Sequence, residues 1–82
     1  REPKIDVLRQ LLIDLKLDFD QVAMLGDDLN DLEVMKQIGI AACPKDAIKE
    51  IKSISHIHLS KKGGEGCVRE FLDDYLNNLQ QI

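Results

Sequence analysis

The sequence predicts an α/β fold, the C-terminal half of a Rossmann-like doubly wound parallel sheet with elements in the order αβαβαβα. Amphipathic stretches with apolar residues three and four apart alternate with short continuous apolar runs. A continuous run suits a strand buried on both faces, as strands of parallel sheets are. Alternation of this kind implies right-handed crossovers with helices on both sides of the sheet. The third observation is one of number: three strand candidates stand where a complete sheet of this class usually carries about five or six.

Taken in order, Ile5, Leu8, Leu12 and Leu15 mark one face of a first helix over residues 5–15. Asp18-Phe19-Asp20 breaks it, and residues 21–25 follow as a short buried strand. Leu32, Met35 and Ile38 predict a second helix, with Gly39 as its C-cap. Ile40-Ala41-Ala42-Cys43 is the second strand, stopped by Pro44, and residues 46–51 form a third helix whose apolar members are Ala47, Ile48 and Ile51. Residues 54–59 alternate, Ile57 and Leu59 on one face and His56 and His58 on the other, as a half-exposed strand does. After the loop Lys61-Lys62-Gly63-Gly64-Glu65-Gly66, a last helix carries the stripe Val68, Phe71, Leu72, Tyr75, Leu76 and Leu79.

Composition excludes several classes of function. A formal charge of -4 gives no basic field for nucleic acid or an anionic membrane. The apolar runs fall far short of the ~20 residues needed to cross a bilayer. Cys43 and Cys67 stand 24 positions apart with no C-x-x-C pair, so neither a disulfide framework nor a zinc site is indicated. Reduced thiols and a cytoplasmic location are expected. With 82 residues the chain makes one small domain at most. It begins at Arg1, and residues 1–82 are expected to be a single partial domain, an excerpt of a longer protein.

The chemistry concentrates in Gly26-Asp27-Asp28-Leu29-Asn30-Asp31, directly after the apolar run 22–25. A strand that stops at glycine and opens into a helix delivers its loop to the ligand-binding edge of an α/β sheet. Three acids there call for a cation or full solvation to offset their charge. An EF-hand loop needs acids at alternate positions and a glycine at the sixth, where Leu29 and Leu32 break the pattern. A receiver-type pocket, which also uses strand-end carboxylates with Mg²⁺ and a lysine, would need an acidic pair near the start of the domain.

The string G-D-D-L-N-D after an apolar strand resembles the fourth motif of haloacid dehalogenase-type phosphatases. Lys4 lies 22 positions before Gly26, where that superfamily's third-motif lysine falls. The segment Gly63-Gly64-Glu65-Gly66-Cys67-Val68-Arg69-Glu70 is similar to the G-G-x-G-x-x-R-E of one branch. That branch holds the 3-deoxy-manno-octulosonate 8-phosphate phosphatases, the sialic-acid-type 9-phosphate phosphatases and the C-terminal domain of animal CMP-sialate synthetases. The resemblance implies a Mg²⁺-dependent phosphoric monoester hydrolase acting on a phosphorylated sugar acid, working as a homo-oligomer, a tetramer. It implies Asp27 as metal ligand, with Asp28 or Asp31 orienting a metal-bound water or Lys4. Lys4 itself would hold nucleophile and phosphate together as a compact positive charge. Gly63, Gly64, Gly66, Arg69 and Glu70 are implied at the substrate or at a subunit interface. Read from the residues alone, the three glycines suit equally a cradle that binds phosphate through N–H groups and a flexible turn with no ligand.

Two departures accompany the match. The superfamily's nucleophile sits in a D-x-D at the end of a strand, and the D-x-D here, Asp18-Phe19-Asp20, reads as a solvated turn between helix and strand. These residues alone are expected to be inactive for want of a nucleophile and of the second-motif Ser or Thr. Glu65 stands where the branch carries arginine, and a glutamate there is expected to repel an acidic sugar. The alternative reading is therefore a non-catalytic oligomerisation domain of the kind attached to CMP-sialate synthetases. His56 and His58 are read as a polar outer face, because two ligands without a third make a weak metal site.

Overall fold

A computed structural model of the chain describes residues 4–77, for Lys4 its backbone alone. Helix α1 (Lys4–Leu15) leads through a 3-10 turn (Phe19–Gln21) into strand β1 (Ala23–Leu25). Then follow α2 (Leu29–Met35), β2 (Ile40–Cys43), α3 (Lys49–Ile54), β3 (Ile57–His58) and α4 (Cys67–Glu70), which continues as a π-helical segment over Phe71–Leu76. The three strands form one parallel sheet in the order β1-β2-β3. The predicted αβαβαβα order and parallel sheet are both present.

Side chains of a strand alternate between faces, and β2 shows what that does here. Ala41 and Cys43 join Ile5, Val34, Met35, Ile38, Ala47 and Ile51 in the larger core, beneath α1, α2 and α3. Ala42 points the other way, into a second cluster with Leu59, Cys67 and Phe71 beneath α4. Helices thus cover both faces of β2, which explains its continuous apolar sequence. The small side chains of Ala41 and Ala42 let both layers approach closely, and both residues are fully buried.

Several boundaries depart from the sequence reading. Helix α1 ends at Leu15 as predicted, but what stops it is Lys16 in a left-handed conformation, φ 59°, and not Asp18-Phe19-Asp20. Leu17 N–H then donates to the Leu12 carbonyl at 2.9 Å and Lys16 N–H to that of Ile13 at 3.2 Å, the paired closure of a Schellman motif. Leu15 is exposed rather than inward, sharing with Val7 and Leu11 an apolar strip along the outer side of α1. Strand β1 begins two residues later than predicted, since Phe19–Gln21 forms the 3-10 turn, and Asp18 N–H donates to Gln21 Oε1 at 2.8 Å. Asp18 and Asp20 are exposed, as a solvated turn requires.

Helix α2 is capped at Lys36, so Gly39 is not its C-cap and Ile38 is buried beyond its end. Helix α3 starts three residues later than predicted, with Ala47 buried ahead of it and Asp46 in the preceding turn. Ile54 closes α3, which reduces β3 to Ile57–His58, although Leu59 N–H extends the ladder to the Cys43 carbonyl at 2.9 Å. On the last helix Cys67 and Phe71 are buried and Tyr75 and Leu76 half-buried, while Val68 and Leu72 are exposed. Leu79 lies outside the described residues.

The role of Gly39 is close approach. A Cβ built there would stand 2.1 Å from the Asp20 carbonyl oxygen, a backbone atom that cannot swing aside. Its N–H donates to the Phe19 carbonyl at 3.1 Å, which ties the 3-10 turn to the start of β2. Gly39→Ala is expected to force the turn away from β2 and destabilise the fold by about 1–3 kcal/mol, read as a lower urea midpoint at unchanged m-value.

Candidate active site

All three strands of a parallel sheet deliver their carboxyl ends to one edge, and here those loops bring the site together. The acidic loop follows β1, Pro44 to Asp46 follow β2, and the glycine loop follows β3. Gly26 N–H continues the ladder to the Ala42 carbonyl at 3.0 Å, so the chain leaves the sheet at Asp27. A side chain on Gly26 would lie 2.5 Å from Met35 Sδ and 2.8 Å from Asp31 Cβ. Glycine is what lets α2 pack against the strand end and hold Asp31 beneath the loop.

Asp28 and Asp31 organise that loop from within. Asp28 is the N-cap of α2, and its Oδ1 accepts from Asn30 N–H at 2.7 Å. Asp31, only 6% exposed, accepts at Oδ2 from Asp27 N–H at 3.1 Å and more distantly from Asp28 N–H at 3.5 Å. Together they make a capping box in which the third helical residue reaches back to the cap. Asp27 is thereby oriented by its own backbone while its carboxylate remains exposed. Lys4 opens α1, and its side chain lies outside the described residues.

The exposed face of the loop borders a cleft of about 220 Å³ lined by Leu25, Gly26 and Asp27 from β1 and its loop, Pro44, Gly63, and Cys67 and Val68 from α4. Two of the sequence-predicted residues, Asp27 and Gly63, therefore share a wall-to-wall space. The other implied substrate residues lie elsewhere. Gly66, Arg69 and Glu70 line a separate groove of about 480 Å³, with Ser60, Lys61, Glu65, Asp73 and Asp74. Its acids outnumber its bases, so it suits a phosphate poorly. Arg69 pairs there with Asp73 at 3.3 Å, a solvent-exposed contact of little energetic weight. Gly64 borders neither space and has nothing packed against it.

The reading in which the glycines cradle phosphate with free N–H groups does not hold at Gly63, whose N–H donates to Asp46 Oδ1 at 2.9 Å. Glu70 is also engaged. Its two carboxylate oxygens accept from Ser60 N–H at 3.1 and 3.0 Å, from the Ser60 hydroxyl at 2.9 Å and from Lys61 N–H at 3.1 Å. Asp46 was not legible as part of this site, since its partner is 17 residues away and the residues around it read as helix. The turn signal Pro44-x-Asp46 was the one clue.

Each histidine has one ring nitrogen tied to the backbone. His56 Nδ1 accepts from Ala41 N–H at 2.9 Å, and His58 Nε2 meets the Lys52 carbonyl at 2.8 Å. Among the described residues no group of three or more His, Cys, Asp or Glu side chains converges as a metal cage. Cys43 and Cys67 are both buried free thiols, and no helix of the described residues is long and apolar enough to cross a membrane.

Known proteins resemble this chain in sequence and fold. A family described as haloacid dehalogenase-like hydrolase matches residues 3–72. The 3-deoxy-D-manno-octulosonate 8-phosphate phosphatase of Yersinia pestis is 39% identical over 70 residues, 85% of this chain and 37% of its own length. Its crystal structure superposes with a TM-score of 0.83 at 37% identity, over 89% of this chain and 40% of that one. The cobalt-bound deoxy-D-mannose-octulosonate 8-phosphate phosphatase of Haemophilus influenzae superposes at 0.82 and 29% identity, over 93% of this chain and 43% of that one. N-acylneuraminate cytidylyltransferase B of Danio rerio is 35% identical over 71 residues, 85% of this chain and 16% of its own length. The chain therefore spans less than half the length of each of these relatives.

Two expectations follow from the loop chemistry. Asp28→Ala is expected to cost about 1 kcal/mol of stability and Asp28→Ser much less, because the cap needs only a short side-chain acceptor; urea unfolding measures both. Glu70 is held below the ordinary glutamate range, first by the Ser60 N–H, with the Ser60 hydroxyl, the Lys61 N–H and the Lys61 charge acting in the same direction against desolvation. A depressed carboxyl stabilises the fold above its unfolded pKa, and that contribution is lost as pH falls through the folded value. The Ser60 and Lys61 amide resonances are accordingly expected to titrate together in acid, with a midpoint below that of a free glutamate.

Proposed function

This chain belongs to the haloacid dehalogenase-like hydrolase family, and we propose that it is the C-terminal, metal-binding portion of a Mg²⁺-dependent phosphatase that hydrolyses a 2-keto-3-deoxy sugar acid phosphate. The observation that carries this reading is the cleft between Asp27 and Gly63 at the carboxyl edge of a parallel sheet. Likeness to two phosphatases named for an octulosonate 8-phosphate supports the class of substrate. The reaction proceeds through an aspartyl-phosphate whose nucleophile lies outside these residues. The whole protein works as a cytoplasmic homo-oligomer, a tetramer.

The residues fit a hard divalent cation. Mg²⁺ takes oxygen donors, keeps several waters and uses only one or two protein carboxylates, so an exposed Asp27 without a surrounding cage is an adequate share. When bound, the metal offsets the negative charge of the transferring phosphoryl group. Asp31 orients Asp27 through its N–H, and Asp28 fixes the start of α2 behind it. Lys4 supplies the positive charge that steadies nucleophile and phosphate. A partial domain is supported by the apolar strip of Val7, Leu11 and Leu15 and by β1, whose outer edge meets no other strand among the described residues.

In the protein that carries these residues together with the nucleophile, phosphate release from a sugar acid phosphate is expected to need Mg²⁺. Asp27→Ala is expected to lower it about 100-fold or more, the consequence of removing several kcal/mol of charge stabilisation. Release that ignores Mg²⁺ or survives Asp27→Ala overturns the reading. Likeness to the Danio rerio cytidylyltransferase favours a second reading, a non-catalytic oligomerisation domain. Absence of turnover with every sugar acid phosphate tried, in a protein that assembles normally, decides for it.

A further inference from the structure

The loop between β3 and α4 contains Gly63, Gly64 and Gly66, and glycines leave a backbone free to sample many conformations. Such a loop makes a definite cleft wall only if something outside it fixes its path. Two carboxylates do so from opposite ends. Glu70, on α4, receives the N–H groups of Ser60 and Lys61 where the chain leaves β3. Asp46, in the loop after β2, receives the N–H of Gly63 at the tip. A backbone bond between the same two loops, Lys45 N–H to the Lys61 carbonyl at 2.9 Å, lies between these anchors.

The bonding of each acid defines its task. An ionised carboxylate offers about four acceptor sites, and Glu70 makes four contacts, all to Ser60 and Lys61. It borders the outer groove and not the Asp27 cleft. Gly63, which Asp46 holds, borders the Asp27 cleft directly. Hydrogen bonds from N–H to an ionised acceptor are stronger than neutral ones, which suits them to fixing a mobile backbone.

We propose that Glu70 and Asp46 are positioning residues that fix the glycine loop as the substrate-side wall of the Asp27 cleft while touching neither metal nor substrate. The proposal rests on reading that cleft as the phosphatase site. Release of either anchor lets the wall move away from Asp27, and a displaced wall weakens the hold on the phosphorylated substrate before it affects the metal.

The chain contains its own reporter. Cys67 is 4% exposed, with Sγ 3.6 Å from the Gly63 carbonyl oxygen, whereas Cys43 is fully buried in the sheet. Iodoacetamide labelling, mapped at both cysteines by mass spectrometry, is expected to be about tenfold faster at Cys67 in Glu70→Ala and Asp46→Ala, with Cys43 unchanged. Should Glu70→Ala also expose Cys43, Glu70→Gln, of equal size and with one acceptor oxygen left, replaces it and shows an intermediate rate. In the protein that includes the nucleophile, the same variants are expected to raise KM for the sugar acid phosphate roughly 10- to 100-fold, with half-activation by Mg²⁺ unmoved. The double variant is no worse than the more severe single one, because both act through one loop.

Unchanged Cys67 labelling in both variants overturns the anchoring. Faster labelling with unchanged KM overturns the role as substrate wall, and a fall in kcat at constant KM overturns positioning in favour of direct catalysis. An active Asp27→Ala enzyme refutes the phosphatase site itself, and the labelling result stays interpretable because it needs no turnover.

Discussion

Backbone N–H and C=O groups in the loops at the carboxyl edge of a parallel sheet lie beyond the reach of the strand ladder, and those that are buried must find partners nearby. That constraint shapes this molecule. Backbone bonds tie the loops to one another and to the sheet: Gly26 to Ala42, Ile48 to Asp27 and Lys45 to Lys61. Carboxylates supply the remaining acceptors, Asp31 beneath the acidic loop, Asp46 at the tip of the glycine loop and Glu70 at its root. Acids gathered at one edge would repel one another if all were bare, yet each of these is stabilised by N–H donors at hydrogen-bond distance. Asp27 differs in having only its backbone in the network, which leaves its side chain facing the cleft.

The same logic reaches the helix on the opposite face. Cys67 and Phe71 are four apart and therefore on one side of α4 and its continuation, where both pack on Ala42 and Leu59. Burial of that pair fixes the rotation of the helix about its own axis. Glu70, one residue before Phe71, then points sideways toward Ser60 and not out to solvent, and it is half-buried. Packing of a small apolar cluster and anchoring of a polar loop are one event here. A change at Phe71 would reach the cleft through Glu70, although Phe71 does not border it.

Most of the architecture was legible because it depends on periodicity. The run Ile40 to Cys43, closed by Pro44, gave β2 with its observed bounds, and the alternation of Ile57 and Leu59 against the two histidines gave the correct faces of β3. Errors fell where hydrogen bonds override the pattern. The end of α1 at Leu15 was read correctly, but the left-handed Lys16 that produces it carries no such signal in sequence, where glycine would. Gly39 looked like a helix cap because caps and close approaches both select glycine, and the Asp20 carbonyl beneath it is brought there only by the tertiary fold. Asp27, singled out by its motif, lines a cleft at the sheet's carboxyl edge, and the Asp28–Asp31 spacing already held a capping box. The bond from Gly63 to Asp46 was beyond reach, since a contact across 17 residues depends on the path of two loops that no local rule specifies.

Glu65 shows how a residue that looks unfavourable in sequence can be neutralised by its place in the fold. At the position where arginine was expected, its charge would oppose an acidic ligand if it faced the Asp27 cleft. It borders the outer groove instead, and its Oε1 accepts the Lys62 N–H at 3.2 Å while its own N–H returns to the Lys62 carbonyl at 3.0 Å. The pair closes the turn just ahead of α4, a bond that arginine, which has no acceptor, cannot make. Its carboxylate thus helps to shape the loop and borders a groove that Asp27 does not. The glycine loop is accordingly held by three acids, Asp46, Glu65 and Glu70, each acting through backbone N–H groups, and the wall they support presents to the cleft a glycine and no opposing charge.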